Sequence, residues 1–340
     1  MTLTEKLSKW YEKNGRDLPW RVKGGAHGDP YQVWISEIML QQTTVKTVIP
    51  YFDRFLKRFP DVRTLAAAPI DEVLLFWQGL GYYTRARKLH ECARVLAEKH
   101  NGVFPSDRKE LQKLPGIGAY TSAAIASFGF NRPEAVVDGN VIRVLTRLKG
   151  WREPAVSIMN GIDAFAAELT NASACPADHA SAMMDLGSGV CTPRAPLCAF
   201  CPLNRECVAY IEGLTDVIPN ITKLKKETKR GYVFWIENEN GEILLRKRTE
   251  KGLLSGLTEL PWNTDESFPF DADWEITKKT VRHVFTHFDL TLTIVRARVS
   301  EIPENSDGFF VPPECFKNYP FSTLMKKVLA KQTGNPAKEV

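Results

Sequence analysis

The stretch CTPRAPLCAFCPLNREC, residues Cys191–Cys207, holds four of the chain's seven cysteines within 17 residues. Their spacing is Cys-x6-Cys-x2-Cys-x5-Cys, and the prolines between them favour a loop that can wrap one compact inorganic centre. Four thiolates suit a [4Fe–4S] cluster or a tetrahedral zinc ion. Structural zinc sites more often use two Cys-x2-Cys pairs and this stretch has one, so the spacing favours the cluster over zinc and over four unrelated thiols. The stretch therefore predicts a local fold built on the ligands Cys191, Cys198, Cys201 and Cys207.

The composition is that of a globular chain with a small positive charge. At 340 residues the length predicts about two domains, and a hydrophobic content of 44% is ordinary for such a protein. No run approaches the roughly 20 apolar residues of a membrane span, and Met1–Trp10 is polar and lacks a signal-peptide core. We therefore expect a cytoplasmic protein with reduced thiols and no membrane contact. The net charge of +5 permits nucleic-acid binding without demonstrating it.

The spacing of apolar residues changes along the chain. Phe52, Phe55 and Phe59 recur at helical spacing, as do apolar residues throughout the first part of the chain. A lysine-rich run around Lys223 follows, which is either a solvated linker or one that follows DNA. Beyond it the residues alternate as in β-strands, with a hairpin signal at Asn240–Gly241. The pattern predicts a mainly α N-terminal region and a smaller α+β C-terminal domain, divided into residues 1–212, a basic linker at 213–229 and residues 230–340, with a helix near the end at 322–331.

A tight turn with the sequence LPGIG, Leu114–Gly118, lies between two helical segments. Gly116 and Gly118 allow the backbone N–H groups of the turn to face outward at the start of a helix, an arrangement that binds a phosphate. Such a hairpin grips the DNA backbone without reading sequence. Alone it is equally a plain helix connector. Asp138 follows some 20 residues later in VVDGNV, and we expect it at the start of the next helix, near the bound backbone.

The hairpin, Asp138 and the four-cysteine loop resemble the helix-hairpin-helix DNA glycosylases of the endonuclease III superfamily. Within that superfamily the chain closely resembles the MutY-type adenine DNA glycosylases. The resemblance is dense over residues 5–212 and looser beyond. Its further motifs are DLPWR at 17–21, WISEIMLQQT at 34–43, GLGYY at 79–83 and MMDLG at 183–187.

The resemblance implies two catalytic carboxyls acting on a flipped-out nucleotide. Glu37 would protonate N7 of adenine and later activate water, a role that its apolar neighbours would support by raising its pKa. Asp138 would stabilise the oxocarbenium ion at the sugar. Without the family motif, Glu37 would be assigned to a solvated helix face and Asp138 to a helix N-cap, a function that it can combine with catalysis. Tyr120 and Asn140 match polar groups around the reacting sugar.

Position 120 distinguishes two activities within the superfamily. Lyases that resemble endonuclease III carry a catalytic lysine after the hairpin, whose amine attacks the sugar to form a Schiff base. This chain has Tyr120, and a phenol cannot form an imine. Lys113 lies on the wrong side of the turn. The resemblance therefore predicts a monofunctional glycosylase with water as the final nucleophile.

Other residues match the DNA contacts of these enzymes. Gln41, Gln42 and Tyr82 match the side chains that wedge into the duplex, where amides and an aromatic ring can bond and stack on bases. Tyr82 is otherwise an ordinary core residue. The rim of the adenine pocket is matched by Trp20 and Arg21, with Asp185 as a partner.

The C-terminal domain resembles the Nudix-like module of these glycosylases. Gly252–Pro261 matches the start of a Nudix motif, but the metal-binding acidic run that should follow is absent, so we expect no pyrophosphatase activity. Phe285, Thr286 and His287 match the loop that recognises 8-oxoguanine, with threonine in place of the usual serine; both hydroxyls donate and accept hydrogen bonds. The alternative is a strand edge with a surface histidine.

Together these features predict an enzyme that acts on double-stranded DNA, as a cytoplasmic, nucleoid-associated monomer with a [4Fe–4S] cluster. It would excise adenine opposite 8-oxoguanine or guanine and leave an abasic site. The alternatives are a bifunctional glycosylase/lyase for oxidised pyrimidines and a non-catalytic iron–sulfur DNA-binding protein. Ile142 replaces a lysine found in some relatives, so no DNA trapping is expected there. The loop Val22–Asp29 is longer than usual for the family, and its sequence gives no account of its function.

Overall fold

The structure, a computed structural model, describes residues 1–220, 226–250, 252–265, 267–302 and 307–334. Lys223 and Lys225 of the predicted basic linker lie outside these residues. Within them, no helix is long and apolar enough to cross a membrane.

Two compact units make up the chain. The first comprises the described residues of Met1–Ala67 and Glu91–Lys223, and the second those of Ala68–His90 and Leu224–Val340. In chain order the α-helices are α1 (Leu3–Asn14), α2 (Pro30–Leu40), α3 (Val45–Arg58), α4 (Val62–Ala67), α5 (Ile70–Trp77), α6 (Thr84–Lys99), α7 (Arg108–Gln112), α8 (Ala119–Phe130), α9 (Gly139–Lys149), α10 (Met159–Asn171), α11 (Pro176–Gly189), α12 (Val208–Ile211) and α13 (Thr323–Thr333).

Helix α8 is the central helix of the first unit. Most of its residues are buried, and the small side chains of Ala123, Ala124 and Ala126 allow α2 to pack closely against it. Helix α2 begins where the Asp29 carboxylate accepts a hydrogen bond from the Tyr31 N–H at 2.9 Å, with Pro30 in the first turn. This packing fixes the side chains of α2 that face α8.

Helices α7 and α8 form the predicted hairpin. The turn between them is closed by the Ile117 N–H, which donates to the Leu114 carbonyl at 3.2 Å. Gly116 has φ +74°, a left-handed conformation that favours glycine. Ile117 is buried and anchors the turn, whereas Gly116 and Gly118 are exposed. The hairpin therefore presents its backbone to solvent at the start of α8.

The second unit contains a mixed sheet. Its strands lie in the order β3-β2-β1-β6-β5, with β4 on β1 and β7 on β2. Strands β1 and β6 are parallel, and the other pairs are antiparallel. The strands are β1 (Glu227–Glu237), β2 (Ile243–Lys247), β3 (Thr258–Glu259), β4 (Trp262–Asn263), β5 (Glu275–Val284), β6 (Phe288–Arg298) and β7 (Phe309–Val311).

One face of this sheet packs on helix α13. Leu290, Leu292 and Ile294 of β6 are fully buried there together with Val328 and Leu329 of the helix. The predicted alternation in β6 and the predicted terminal helix are confirmed, as is the hairpin at Asn240–Gly241, which joins β1 to β2.

The predicted fold class is confirmed, a helical N-terminal region followed by a smaller α+β region. Strand β1 begins at Glu227, inside the predicted linker, because residues 227–230 pair with residues 288–291 of β6. The domain boundaries drawn from the sequence stay a prediction.

Candidate active site

One cleft in the first unit contains all four predicted catalytic residues and two of the predicted DNA-contacting residues. Its volume is about 790 Å³, and its walls come from α2, α8, α9, α11 and the segment after α2. Residues far apart in sequence thus meet in one space. The predicted residues on its walls are Trp20, Arg21, Glu37, Gln41, Gln42, Tyr120, Asp138 and Asn140.

Glu37 is a buried carboxyl on the wall that α2 contributes. Its side chain is on the face of α2 that packs towards α8, and the residue is only 5% exposed. The Tyr120 hydroxyl donates a hydrogen bond to its Oε2 at 2.8 Å. Burial raises the pKa of Glu37 to about 7, against the opposing effects of that hydrogen bond and of Arg21. A large fraction of Glu37 therefore carries a proton at neutral pH, as a general acid requires.

Tyr120 lies in the first turn of α8, directly after the hairpin. Burial and the neighbouring carboxyls, Glu37 foremost, raise the pKa of its phenol well above the ordinary value. The phenol therefore remains protonated and acts as a hydrogen-bond donor. The hairpin thus fixes the donor that orients Glu37.

Asp138 is the N-cap of α9, held by three donors. Its Oδ1 accepts from the N–H groups of Asn140 and Val141 at 2.8 Å each, and its Oδ2 accepts from Asn140 Nδ2 at 2.8 Å. The carboxylate is partly exposed to the cleft. Its position is therefore set by the start of the helix, and its role as N-cap is compatible with a place on the cleft wall.

Arg143, which the sequence analysis did not single out, lies behind this pair. Its Nη2 donates to Asn140 Oδ1 at 2.8 Å and to the Gly187 carbonyl at 2.7 Å, and its Nε donates to the Cys191 carbonyl at 2.7 Å. The residue is 8% exposed. One buried guanidinium thus connects Asn140, and through it Asp138, to the first cysteine of the loop. The sequence signal that could have identified Arg143 is a charged residue inside the apolar run of α9.

The four cysteines lie along a loop between α11 and α12. Cys191 follows α11, and Cys207 precedes α12. Arg147, a fully buried residue, donates to Cys191 Sγ at 3.4 Å and to the Thr192 carbonyl at 2.7 Å. Burial raises the pKa of the Cys201 thiol to about 12, with smaller effects from the other three thiols, so the four groups interact electrostatically.

None of the seven cysteines, all of which lie in the described part of the chain, forms a disulfide. Among the described residues, no group of three or more metal-ligating side chains closes on a single ion.

An ion-pair cluster around the buried Asp185 lies beside this cleft. Arg21 Nη1 donates to both carboxylate oxygens of Asp185 at 2.8 Å, and Arg16 Nε donates to Oδ1 at 2.7 Å. Asp185 is 3% exposed and does not line the cleft itself, whereas Arg16, Trp20 and Arg21 do. Trp20 is fixed by edge contact with the ring of Phe52, 5.2 Å between centroids. The predicted rim residues are thus brought together, and Arg16 joins them.

The loop Val22–Asp29 is attached to α11. Gly24 and Gly25 have φ of +79° and +81°, and their N–H groups both donate to one oxygen of Asp178, at 3.1 and 3.2 Å. Val22 lines the cleft and is 46% exposed. The longer loop thus forms part of the cleft wall.

Gln41 and Gln42 directly follow α2 and line the cleft. Gln41 Nε2 donates to Thr121 Oγ1 at 3.4 Å, which links the α2 end to α8. Gln42 is exposed with φ +59°, an uncommon conformation for a side chain other than glycine. Gly116 and Gly118 are outside the set of residues that line the cleft.

Four predicted DNA-contacting residues meet in the second unit. Phe285 stacks on Phe288 with 4.8 Å between ring centroids and packs on the core, which leaves Thr286 and His287 exposed in the turn between β5 and β6. The Tyr82 and Thr286 hydroxyls form a hydrogen bond. Tyr82 is 47% exposed with φ +48°. Tyr82, the predicted wedge residue, and this turn therefore form one surface.

Two family descriptions match this chain. Residues 35–160 match the HhH-GPD superfamily of base excision DNA repair proteins, and residues 232–331 match the NUDIX domain. The chain is 42% identical over 262 residues to the adenine DNA glycosylase of Buchnera aphidicola subsp. Baizongia pistaciae, covering 75% of this chain and 72% of the relative. It is 32% identical over 403 residues to that of Homo sapiens, covering 96% and 73%.

Solved structures share the fold of the first part. A thermostable thymine-DNA glycosylase is 29% identical with a TM-score of 0.54, covering 62% of this chain and 95% of that one. A non-covalent complex of endonuclease III with DNA is 24% identical with a TM-score of 0.50 and shows likeness of fold alone.

Proposed function

Because the chain belongs to the adenine DNA glycosylases of the HhH-GPD base-excision repair superfamily, we propose that it excises adenine paired with 8-oxoguanine, or with guanine, from double-stranded DNA. It is a monofunctional glycosylase that hydrolyses an N-glycosidic bond. The observation that carries the assignment of catalytic residues is the pair of carboxyls in one cleft, a buried Glu37 with a raised pKa and a capped Asp138.

The proposed reaction begins with adenine extruded from the duplex into the cleft. The Glu37 proton passes to N7, the bond between C1′ and N9 breaks, and its electron pair leaves with the base. The cation that develops at the sugar lies beside the Asp138 carboxylate, which stabilises it. Glu37, now ionised, takes a proton from water, and the water oxygen bonds to C1′. The product is an abasic site with free adenine.

Tyr120 and Asn140 act as positioning residues in this proposal. Tyr120 donates to Glu37 Oε2, which leaves the other oxygen of the carboxyl to carry the proton towards the base. Asn140 Nδ2 orients Asp138, and Arg143 holds Asn140 in turn. Since residue 120 is not an amine, this position supplies no Schiff base, and the lyase alternative lacks its nucleophile.

We propose that Cys191, Cys198, Cys201 and Cys207 hold a [4Fe–4S] cluster, which when bound would fix the fold of the loop. The thiols fit such a group. A cluster binds each thiolate to a different iron, so its ligands need not converge on one ion as those of zinc do. The N–H···S contact from Arg147 to Cys191 Sγ is the kind of hydrogen bond that compensates thiolate charge at such a site.

The purified protein is expected to contain about four irons and four acid-labile sulfides per chain and to be yellow-brown. The reason is the set of four thiols on one loop beside two buried arginines. Metal and acid-labile sulfide analysis of freshly isolated protein measures the iron and sulfide content per chain. Stoichiometric zinc without iron would refute the cluster.

The turn between β5 and β6 is proposed to read 8-oxoguanine. Thr286 and His287 are exposed at its tip and carry hydrogen-bonding groups, while Phe285 anchors it in the core. Tyr82 lies against Thr286 and would stack beside the lesion. We further propose that the protein acts as a monomer on nucleoid DNA in the cytoplasm.

Thr286→Ala is expected to lower the preference for adenine opposite 8-oxoguanine over adenine opposite guanine by roughly three- to tenfold, since one hydrogen bond contributes about 1 kcal/mol. Single-turnover rates and binding constants for the two mispairs give the ratio. Thr286→Ser, which keeps the hydroxyl, should restore it, and the exposed Thr264→Ala serves as the matched control. A ratio that equals the wild-type value in Thr286→Ala would show that this turn does not read the lesion.

A further inference from the structure

The described residues cover one face of the C-terminal sheet only in part. The face opposite α13 carries Tyr232 and Phe234 of β1 and Val295 of β6 at one end. These residues pack against the aromatic rings of Phe268 and Trp274, with 5.2 Å between the Phe234 and Trp274 centroids. In the described part of residues 264–274 there is no helix. A short aromatic segment therefore covers only this end of the face.

The other end of the same face bears threonines and arginines. The register places Arg230 beside Thr291 and Arg282 opposite Thr291, so the three strands present these side chains together. Arg230, Arg282 and the flanking Thr280 are exposed, and Thr291 is half-buried. We call this surface the threonine–arginine face; it consists of Thr228, Arg230, Thr280, Arg282, Thr291 and Thr293.

The charge of this face is positive. Among the described residues of that end of the face, the acidic one is Asp289, and the Arg282 guanidinium binds it at 2.7 Å. The arginine side chain remains 71% exposed. Arginines with threonine hydroxyls are the groups that contact phosphate oxygens in protein–DNA interfaces. The surface is thus complementary to a polyanion rather than to an apolar partner.

The position of the face points to which polyanion it contacts. Its strands β5 and β6 are joined by the turn Phe285–His287, so the face begins where the proposed lesion-reading turn ends. From Asp289 to Thr293 the strand rises by about 13 Å, and three strands span about 10 Å, room for a short stretch of DNA backbone. DNA held by the turn would continue across this surface.

We propose that the threonine–arginine face binds backbone phosphates of the duplex that flanks the lesion. This rests on the proposed function in that the bound polymer is the DNA substrate. The contacts are to phosphates, so they add affinity for any duplex and no discrimination between mispairs. The face therefore complements the turn: one part holds the duplex and the other reads the base.

The test is the salt dependence of binding to an undamaged duplex by the full-length double variant Arg230→Gln/Arg282→Gln. Each lost phosphate contact should reduce the slope of log K against log salt by about 0.9, so the slope should fall by about 1 to 2, with affinity roughly tenfold weaker at moderate salt. Arg298→Gln, an 83% exposed arginine at the far end of β6, is the matched control and should retain the wild-type slope.

Further variants and measurements distinguish phosphate binding from a structural role and from recognition of the lesion. Arg230→Lys/Arg282→Lys keeps both charges and should recover most of the slope, which a merely structural role would not predict. The ratio of affinities for the 8-oxoguanine and guanine mispairs should equal that of the wild type. A double glutamine variant with an unchanged slope, or with a loss confined to the lesion duplex, would overturn the phosphate role. Failure of the proposed function would instead appear as wild-type protein that does not excise adenine, which the undamaged duplex does not measure.

Discussion

Glu37→Gln is expected to lower the single-turnover rate of adenine excision by roughly 10²–10⁴-fold or more, while affinity for the mispair stays near the wild-type value. Glutamine retains the shape and can still accept the Tyr120 hydrogen bond, but it cannot supply a proton to the leaving base. The effect should therefore fall on the chemical step. Rates measured at saturating enzyme report the chemical step, and binding constants report the affinity for the mispair.

Glu168→Gln on α10, an exposed position, is the matched control and should leave the rate unchanged. Near wild-type excision by Glu37→Gln would remove Glu37 from the role of general acid.

The raised pKa of Glu37 also predicts a pH dependence. The protonated form acts as the acid and predominates below its pKa of about 7, so the rate should fall by about tenfold per pH unit well above that value. The free energy of unfolding should also fall as the pH rises. The folded-state pKa exceeds the ordinary 4.5, so this group's contribution is complete below about pH 4.5 and is lost as the pH rises through 7. The melting temperature of Glu37→Gln relative to wild type should therefore increase between about pH 5 and 8.

Asp138→Asn is expected to lower the excision rate by roughly 10²–10³-fold, because the cation at the sugar loses its counter-charge. Asparagine is also a good N-cap, so α9 should keep its start and the protein its stability. Thermal melting and single-turnover rates together distinguish a catalytic from a structural loss.

Asp107→Asn, at the N-cap of α7, changes the same chemistry away from the cleft and should leave the excision rate at the wild-type value. Excision at the full wild-type rate by folded Asp138→Asn would show that the electrostatic role is wrong.

Local sequence motifs were sufficient to predict the parts of the site that depend on neighbouring residues. The hairpin at Gly116 follows from its glycines, and the N-cap position of Asp138 follows from the polar residue before an apolar run. The alternation in β6 and the terminal helix follow from the spacing of apolar residues alone.

Contacts between distant residues were not predictable in this way. Arg143 reaches Gly187 and Cys191, and Tyr82 meets Thr286, across separations that no local pattern encodes. The binding of Asp185 by both Arg16 and Arg21 was equally unpredictable, because Asp185 is distant from both in sequence. The partial cover that the described residues give this sheet face could not be foreseen either, because it depends on packing between segments that are distant in sequence.

We expect this chain to release adenine from a mispair with 8-oxoguanine by hydrolysis and to leave the DNA strand uncut. A single-turnover assay on a labelled duplex with adenine opposite 8-oxoguanine, divided into samples with and without alkali, tests it most directly. We expect free adenine and an intact strand at neutral pH, with strand cleavage only after alkali, because Tyr120 supplies no amine for β-elimination. Strand cleavage at neutral pH with a borohydride-trapped covalent complex would instead show a lyase, and no release of adenine would show that the chain is not an adenine glycosylase.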